Sequence, residues 1–246
     1  MNLIVDIGNT RVKYALMDEA ECLEEYASDD FEIEVVIRFL RGRTIDHAIV
    51  CSTRGRQHRV AECLQNHVRR VVEFLPQTPV PIQNDYRTPE TLGRDRLAAA
   101  VGVRTLFPDR NVLIVDFGTA ITIDLVTKDN HFRGGVISPG VAMRFRALHD
   151  YTTSLPHCQA RGVDSLLGLS TEDAIVNGVM NSIKFEIEGY VDRMSEEFDQ
   201  LSVIFIGGDA NFFAKRIKNT IFAKCNPIFI GLDRILKYNV REKELD

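Results

Sequence analysis

No C-x-x-C pair occurs in this chain: Cys22, Cys51, Cys63, Cys158 and Cys225 are odd in number and widely scattered. That spacing argues against a disulfide framework or a zinc ribbon and leaves reduced thiols as the reading. Long apolar runs are missing too, none approaching the roughly 18 residues of a membrane span, and the first strand pattern begins without a basic lead. A cytoplasmic protein with neither leader nor anchor, and no membrane partner, is expected. Cationic excess is also lacking. The net charge of −5 gives no overall pull toward nucleic acid or anionic lipid, and Arg54, Arg56, Arg59, Arg69 and Arg70 read as the solvated face of a helix around 56–66.

Two common phosphate-binding loops are absent as well. Residues 135–140 have P-loop glycine spacing, but Val141 and Ala142 stand where the lysine and the Ser/Thr would be. No G-x-G-x-x-G follows a strand, which removes a dinucleotide site and a protein-kinase glycine loop. The six histidines show no metal-ligand spacing.

What is present is a globular composition, 45% apolar and 26% charged over 246 residues, with a doubled motif inside it. "LIVDIGNT" at 3–10 returns as "LIVDFGTA" at 113–120. In each copy an apolar strand delivers an aspartate, Asp6 or Asp116, to its end. Gly8 or Gly118 then lets the backbone turn and bare its N–H groups, and Asn9-Thr10 or Thr119 adds side-chain donors. Such a turn suits a phosphate with its metal ion. The repetition implies two related lobes, 1–110 and 111–246, whose turns face one cleft.

Along the chain, strands are expected at 2–6, 11–17, 47–51, 71–75, 111–116 and 121–127, with a helix near 31–40. Pro76, Pro79, Pro81 and Pro89 make 76–89 an irregular loop. Helix 93–107 carries Asp95 in its first turn, residues 134–140 make a strand-to-helix turn, and a second loop runs to about 170. The longest helix opens at Thr171 with a capping signal and buries Ile175, Val179, Ile183, Ile187, Val191, Met194 and Phe198 over about 27 residues. It either crosses between lobes, packs on a second subunit, or serves only the core. Strand 203–210 ends in Gly207-Gly208, which lets a nucleobase approach the backbone or simply packs a helix, and a terminal helix covers 231–238.

"DIGNT", "GRDR", "VDFGTAITID", "GGVISPG" and "GGDA", in this order, resemble the type III pantothenate kinases of the actin-like and sugar-kinase superfamily; "ALHDYTTSLP" and "GLSTEDAIVNG" are similar to family segments as well. The resemblance implies an α/β fold of two ribonuclease-H-like (actin-like ATPase) lobes, with mixed sheets flanked by helices. It also implies transfer of the γ-phosphoryl of ATP to pantothenate, the first step toward coenzyme A, by a homodimer. Asp95 is then the base, with Tyr86, Gly93, Arg94, Asp95, Arg96 and Thr171 around the acceptor. Asp6, Gly8, Asn9, Thr10, Arg11, Lys13 and Thr119 serve the nucleotide, Asp6 orders Mg2+ through water, and Asp116 binds K+ or NH4+. The family's usual GADR is GRDR here, so Arg94 alters the shape of the pocket.

Each residue also has a plainer reading. Asp95 can complement a helix dipole, Arg96 can form a surface ion pair, Tyr86 can anchor a loop, and Thr171 can cap a helix. Two rival functions share the motifs. A ribonuclease-H-like nuclease would gather Asp6, Asp116, Asp124 and Asp95 around two metals but needs a basic groove. A non-catalytic actin-like module would bind ATP without a phosphate acceptor.

Overall fold

The computed structural model describes residues 1–55, 57–163, 165–217, 220–222 and 226–242, so Arg56 and Cys225 lie outside the described residues. Its contacts divide the chain into two compact units. Unit 1 comprises Met1–Asp109, Val126–Gly134 and Lys224–Asp246, and unit 2 comprises Arg110–Leu125 and Gly135–Ala223.

Unit 1 opens with the strands β1 (Asn2–Ile7), β2 (Val12–Asp18) and β3 (Glu21–Ser28), followed by α1 (Ile33–Leu40), β4 (His47–Ser52), α2 (Gln57–Gln65), β5 (Arg70–Glu73), β6 (Gln83–Asn84) and α3 (Arg94–Leu106). Its five-stranded sheet runs β3-β2-β1-β4-β5, antiparallel at β1–β2–β3 and parallel at β1–β4–β5. All six residues of β1 are buried, as expected for a central strand covered on both faces. Leu3, Val5, Val36, Phe39, Val50 and Leu64 belong to the cluster at its core. Strand β3 escaped the sequence reading because it is an edge strand with mostly exposed side chains, and such a strand needs no apolar run.

Unit 2 holds most of β7 (Val112–Phe117), β8 (Ala120–Thr127) and β9 (His131–Pro139), then α4 (Val141–Asp150), α5 (Thr171–Glu197), β10 (Ser202–Gly207), α6 (Ala210–Ala214) and β11 (Thr220–Phe222). Strand order there is β11-β10-β7-β8-β9. The core gathers Leu113, Val115, Phe117, Ile183, Ile187 and Phe213, with Phe117 and Phe213 stacked 4.8 Å apart. Residues 134–140 were expected to turn; instead β9 runs straight to Pro139 and only Gly140 breaks into α4. Helix α5 has the expected length, and its buried face fades beyond Ile187 to half-buried Val191 and Met194.

The last helix, α7 (Pro227–Glu242), belongs to unit 1 and starts four residues before the expected 231. So does the tip of the β8–β9 hairpin, where β6 pairs in parallel with β9 as Gln83↔His131 and Asn84↔Phe132. The stretch 76–89 is therefore not wholly irregular. It contributes a two-residue strand that fastens the proline-rich loop to β9.

Candidate active site

In unit 1, Asp6, one residue before the end of β1, is buried, 4% exposed, with Lys13 of β2 directly opposite and Cys51 of β4 as its parallel neighbour. The Gly8 N–H closes the turn on the Arg11 carbonyl at 3.0 Å, while Asn9, Thr10 and Arg11 stand exposed. The Arg11 guanidinium reaches the Ala27 carbonyl at 3.2 Å. A strand-to-strand turn of this kind presents side chains and N–H groups at the end of a rigid sheet, which is the arrangement a phosphate needs.

Helix α3 begins one residue before Asp95. The Asp95 carboxylate accepts the Arg96 N–H at 2.9 Å and folds back over Gly93, where a Cβ would come within 2.6 Å of its Oδ1. Gly93 is thus the residue that leaves the carboxylate its place. The Cys51 thiol, fully buried, is pushed well above the usual thiol range by burial first, then by the negative charges of Asp6 and Asp95, with Arg94 partly offsetting them. The strand register sets Lys13 and Cys51 on either side of Asp6, and the Cys51 thiol feels the charges of Asp6 and Asp95. Cys51 was missed in the sequence reading; its signal was the position closing an apolar strand, "HAIVC", beside "LIVD".

Arg94 and Arg96 are both only 7% exposed, and they part company. The Arg94 guanidinium donates to the Leu92 carbonyl at 2.9 and 2.6 Å and to the Pro89 carbonyl, and stands 5.7 Å from the Phe74 ring. It holds the end of the proline-rich loop. The Arg96 guanidinium instead lies 5.6 Å from the ring centre of Tyr86 and 5.9 Å from that of Phe132. Tyr86 and Arg96, each expected around the acceptor, thus stand side by side, and Phe132, which the sequence did not single out, joins them.

In unit 2, β7 carries Asp116 to its end. The backbone of Gly207, at φ +93°, comes so close that a Cβ there would overlap Asp116 Oδ1. The Gly118 N–H bonds the Ala120 carbonyl at 3.2 Å, and the exposed Thr119 receives the Gly140 N–H on its carbonyl at 3.1 Å. Gly140 is small for the same reason as Gly207, since a Cβ would overlap the Thr119 carbonyl. The second turn is thus wedged between two glycines. The Asp209 N–H closes back on the Phe117 carbonyl at 3.4 Å.

Thr171 is not the helix cap. Ser170 is: its hydroxyl accepts the Asp173 N–H at 3.1 Å and donates to the Asp173 carboxylate at 2.7 Å. That leaves exposed Thr171 in the first turn of α5, on the wall of a cavity of about 640 Å³ between α4 and α5 that Ala147, Leu148, Leu155, Ile175 and Val179 also line. Asp124, a candidate ligand for the nuclease reading, is 2% exposed beneath Gly135. Among the described residues no three His, Cys, Asp or Glu side chains gather to hold a metal ion, and no helix is long and apolar enough to cross a membrane.

These arrangements have known counterparts. The family profile of type III pantothenate kinase matches residues 2–193. A type III pantothenate kinase of Phocaeicola vulgatus is 37% identical over 97% of this chain and 99% of its own length. Among solved structures, the activator of 2-hydroxyisocaproyl-CoA dehydratase from Clostridium difficile, with bound ADPNP, aligns at TM-score 0.55 and 14% identity over 99% of this chain and 96% of that one. A glucokinase from an Antarctic psychrotroph aligns at 0.51 and 10% over 96% and 98%. The fold is that of the actin-like and sugar-kinase ATPases, nothing supports a nuclease, and the chain belongs to the type III pantothenate kinase family.

Proposed function

We propose that this enzyme moves the γ-phosphoryl group of ATP to the terminal hydroxyl of pantothenate, giving 4'-phosphopantothenate, the first step toward coenzyme A. The observation that carries the reading is the family match over residues 2–193, supported by the turn that follows Asp6 and by the Asp95 carboxylate held by the Arg96 N–H over Gly93.

Asp95 takes the proton of the acceptor hydroxyl. Phosphoryl transfer through a loose transition state asks more for orientation than for basicity, and a carboxylate fixed by a backbone N–H over a glycine meets that demand. Arg96 binds the acidic acceptor beside Tyr86, and Gly93 keeps the approach open. Arg94 shapes the pocket indirectly, through the loop it ties. Gly8, Asn9, Thr10, Arg11 and Lys13 line the phosphates at the turn of unit 1.

The single carboxylate of Asp6 suits Mg2+, which is commonly held by one or two carboxylates together with water and substrate phosphates rather than by a protein cage. The oxygen donors of the Asp116 turn suit K+ or NH4+. Bound there, such cations offset phosphate charge. We also propose a homodimer built on the α4–α5 face of unit 2, where Met143, Phe185 and Leu169 are 45%, 53% and 99% exposed. Thr171 lies on that face, consistent with an acceptor site near a subunit boundary. Sedimentation of a fully active monomer would refute the dimer.

The decisive experiment is a coupled ADP assay with ATP, Mg2+ and K+. ADP should appear only when pantothenate is added. Turnover indifferent to pantothenate, or none at all, overturns the assignment.

A further inference from the structure

We infer that Phe132 is a positioning residue that fixes the plane of Arg96, and that the flanking ion cluster of Asp85, His131 and Arg133 holds Tyr86 to the same purpose. This rests on the reading of Arg96 as the group that takes the acidic acceptor.

Phe132 is fully buried on β9, its ring 6.3 Å from that of Tyr86 and tilted 41° to it, and the Arg96 guanidinium faces both rings. A guanidinium set over aromatic faces is attracted by the ring quadrupoles, and because its fork is planar the rings favour particular orientations of it over others. The backbone enforces the geometry. The Asp85 N–H donates to the Phe132 carbonyl at 3.0 Å, directly before Tyr86, and Gly134 at φ +99° leaves the Tyr86 ring in van der Waals range.

Neighbours of Phe132 along the strand point to the other face. His131 Nδ1 lies 3.0 Å from Asp85 Oδ1, and Arg133 donates to Asp85 Oδ2 at 2.9 Å and to Asp129 at 3.0 Å. Asp85 is thus pinned from both sides of Phe132, and Tyr86 with it. Neither Phe132 nor this cluster belongs to the motifs that carry the family resemblance.

The experiment is steady-state kinetics of full-length Phe132→Leu, Phe132→Tyr and Asp85→Ala against wild type, varying pantothenate and ATP separately. Phe132→Leu should raise the KM for pantothenate about five- to tenfold, the loss of one cation–π contact, with kcat and the KM for ATP within about twofold. Phe132→Tyr should restore the wild-type value, and the surface change Asp85→Ala should raise the same KM by about two- to threefold. A merely structural role would lower kcat or active fraction without this split. Unchanged KM in Phe132→Leu and Asp85→Ala, or a KM for ATP that rises in parallel, overturns the inference. Wild-type protein that ignores pantothenate would instead sink the underlying reading.

Discussion

Gly102 of α3 and Gly231 of α7 cross backbone to backbone. A Cβ on Gly102 would overlap the Pro227 carbonyl, and one on Gly231 would overlap the Ala98 carbonyl. The helix that presents Asp95 and Arg96 is therefore seated against the last helix with no side chain between them. Gly102→Ala and Gly231→Ala should each cost about 1–3 kcal/mol by forcing the helices apart, lowering Tm by several degrees in a chain of this size. Thermal melts at wild-type temperature for both would show that the crossing tolerates a methyl group and that the packing described is wrong.

Asp95→Asn keeps the size of the side chain and its acceptor oxygen toward the Arg96 N–H while removing the proton acceptor. We expect kcat to fall about 10²- to 10⁴-fold with ATP binding intact by calorimetry. Ordinary kcat in this variant would remove Asp95 from the chemistry.

Arg94 stands where the family's usual motif has alanine, and its guanidinium serves carbonyls of the preceding loop. Arg94→Ala should cost about 1–3 kcal/mol, because the buried Leu92 carbonyl loses a charged donor. Amide exchange should quicken around 89–92. Should exchange in that segment stay as slow as in wild type, Arg94 is not what ties it.

Asp85 titrates below the usual carboxylate range, first because His131 hydrogen-bonds it; desolvation opposes this, and the charges of His131 and Arg133 and the Arg133 hydrogen bond add to the lowering. Its folded pKa is depressed, so its contribution to stability is present above the unfolded value near 4 and disappears as pH falls through the folded value. Carboxyl NMR should place its midpoint below that of an exposed aspartate, and Asp85→Asn should flatten the acid limb of the Tm profile below about pH 4. A midpoint at or above the ordinary value would contradict the cluster.

The strands that carry the site were legible because they are apolar on both faces: β1 and β7 announce themselves as "LIVD" twice, and the glycine after each aspartate marks its turn. Tyr86 and Arg96 were each named for the acceptor from family likeness, but that the two adjoin is seen only in the fold. Phe132 was not named, since one aromatic in "HFRGG" carries no signal until β6 places 83–86 alongside it. The same limit applies to the cap of α5, where Ser170 and Thr171 are equivalent in sequence and only the backbone decides which hydroxyl meets the Asp173 N–H. Edge strand β3 was invisible for a different reason: solvent, not the core, faces most of its side chains.

Unit 1 is assembled from three separate stretches of chain, with the hairpin tip bearing Phe132 and the helix bearing Gly231 both translated after residue 110. A fragment cut at residue 110 would leave Gly102 of α3 bare to water and Arg96 without one of its rings. The two repeats are therefore not exchangeable cassettes. A split version of this enzyme should regain order only when its halves are supplied to each other.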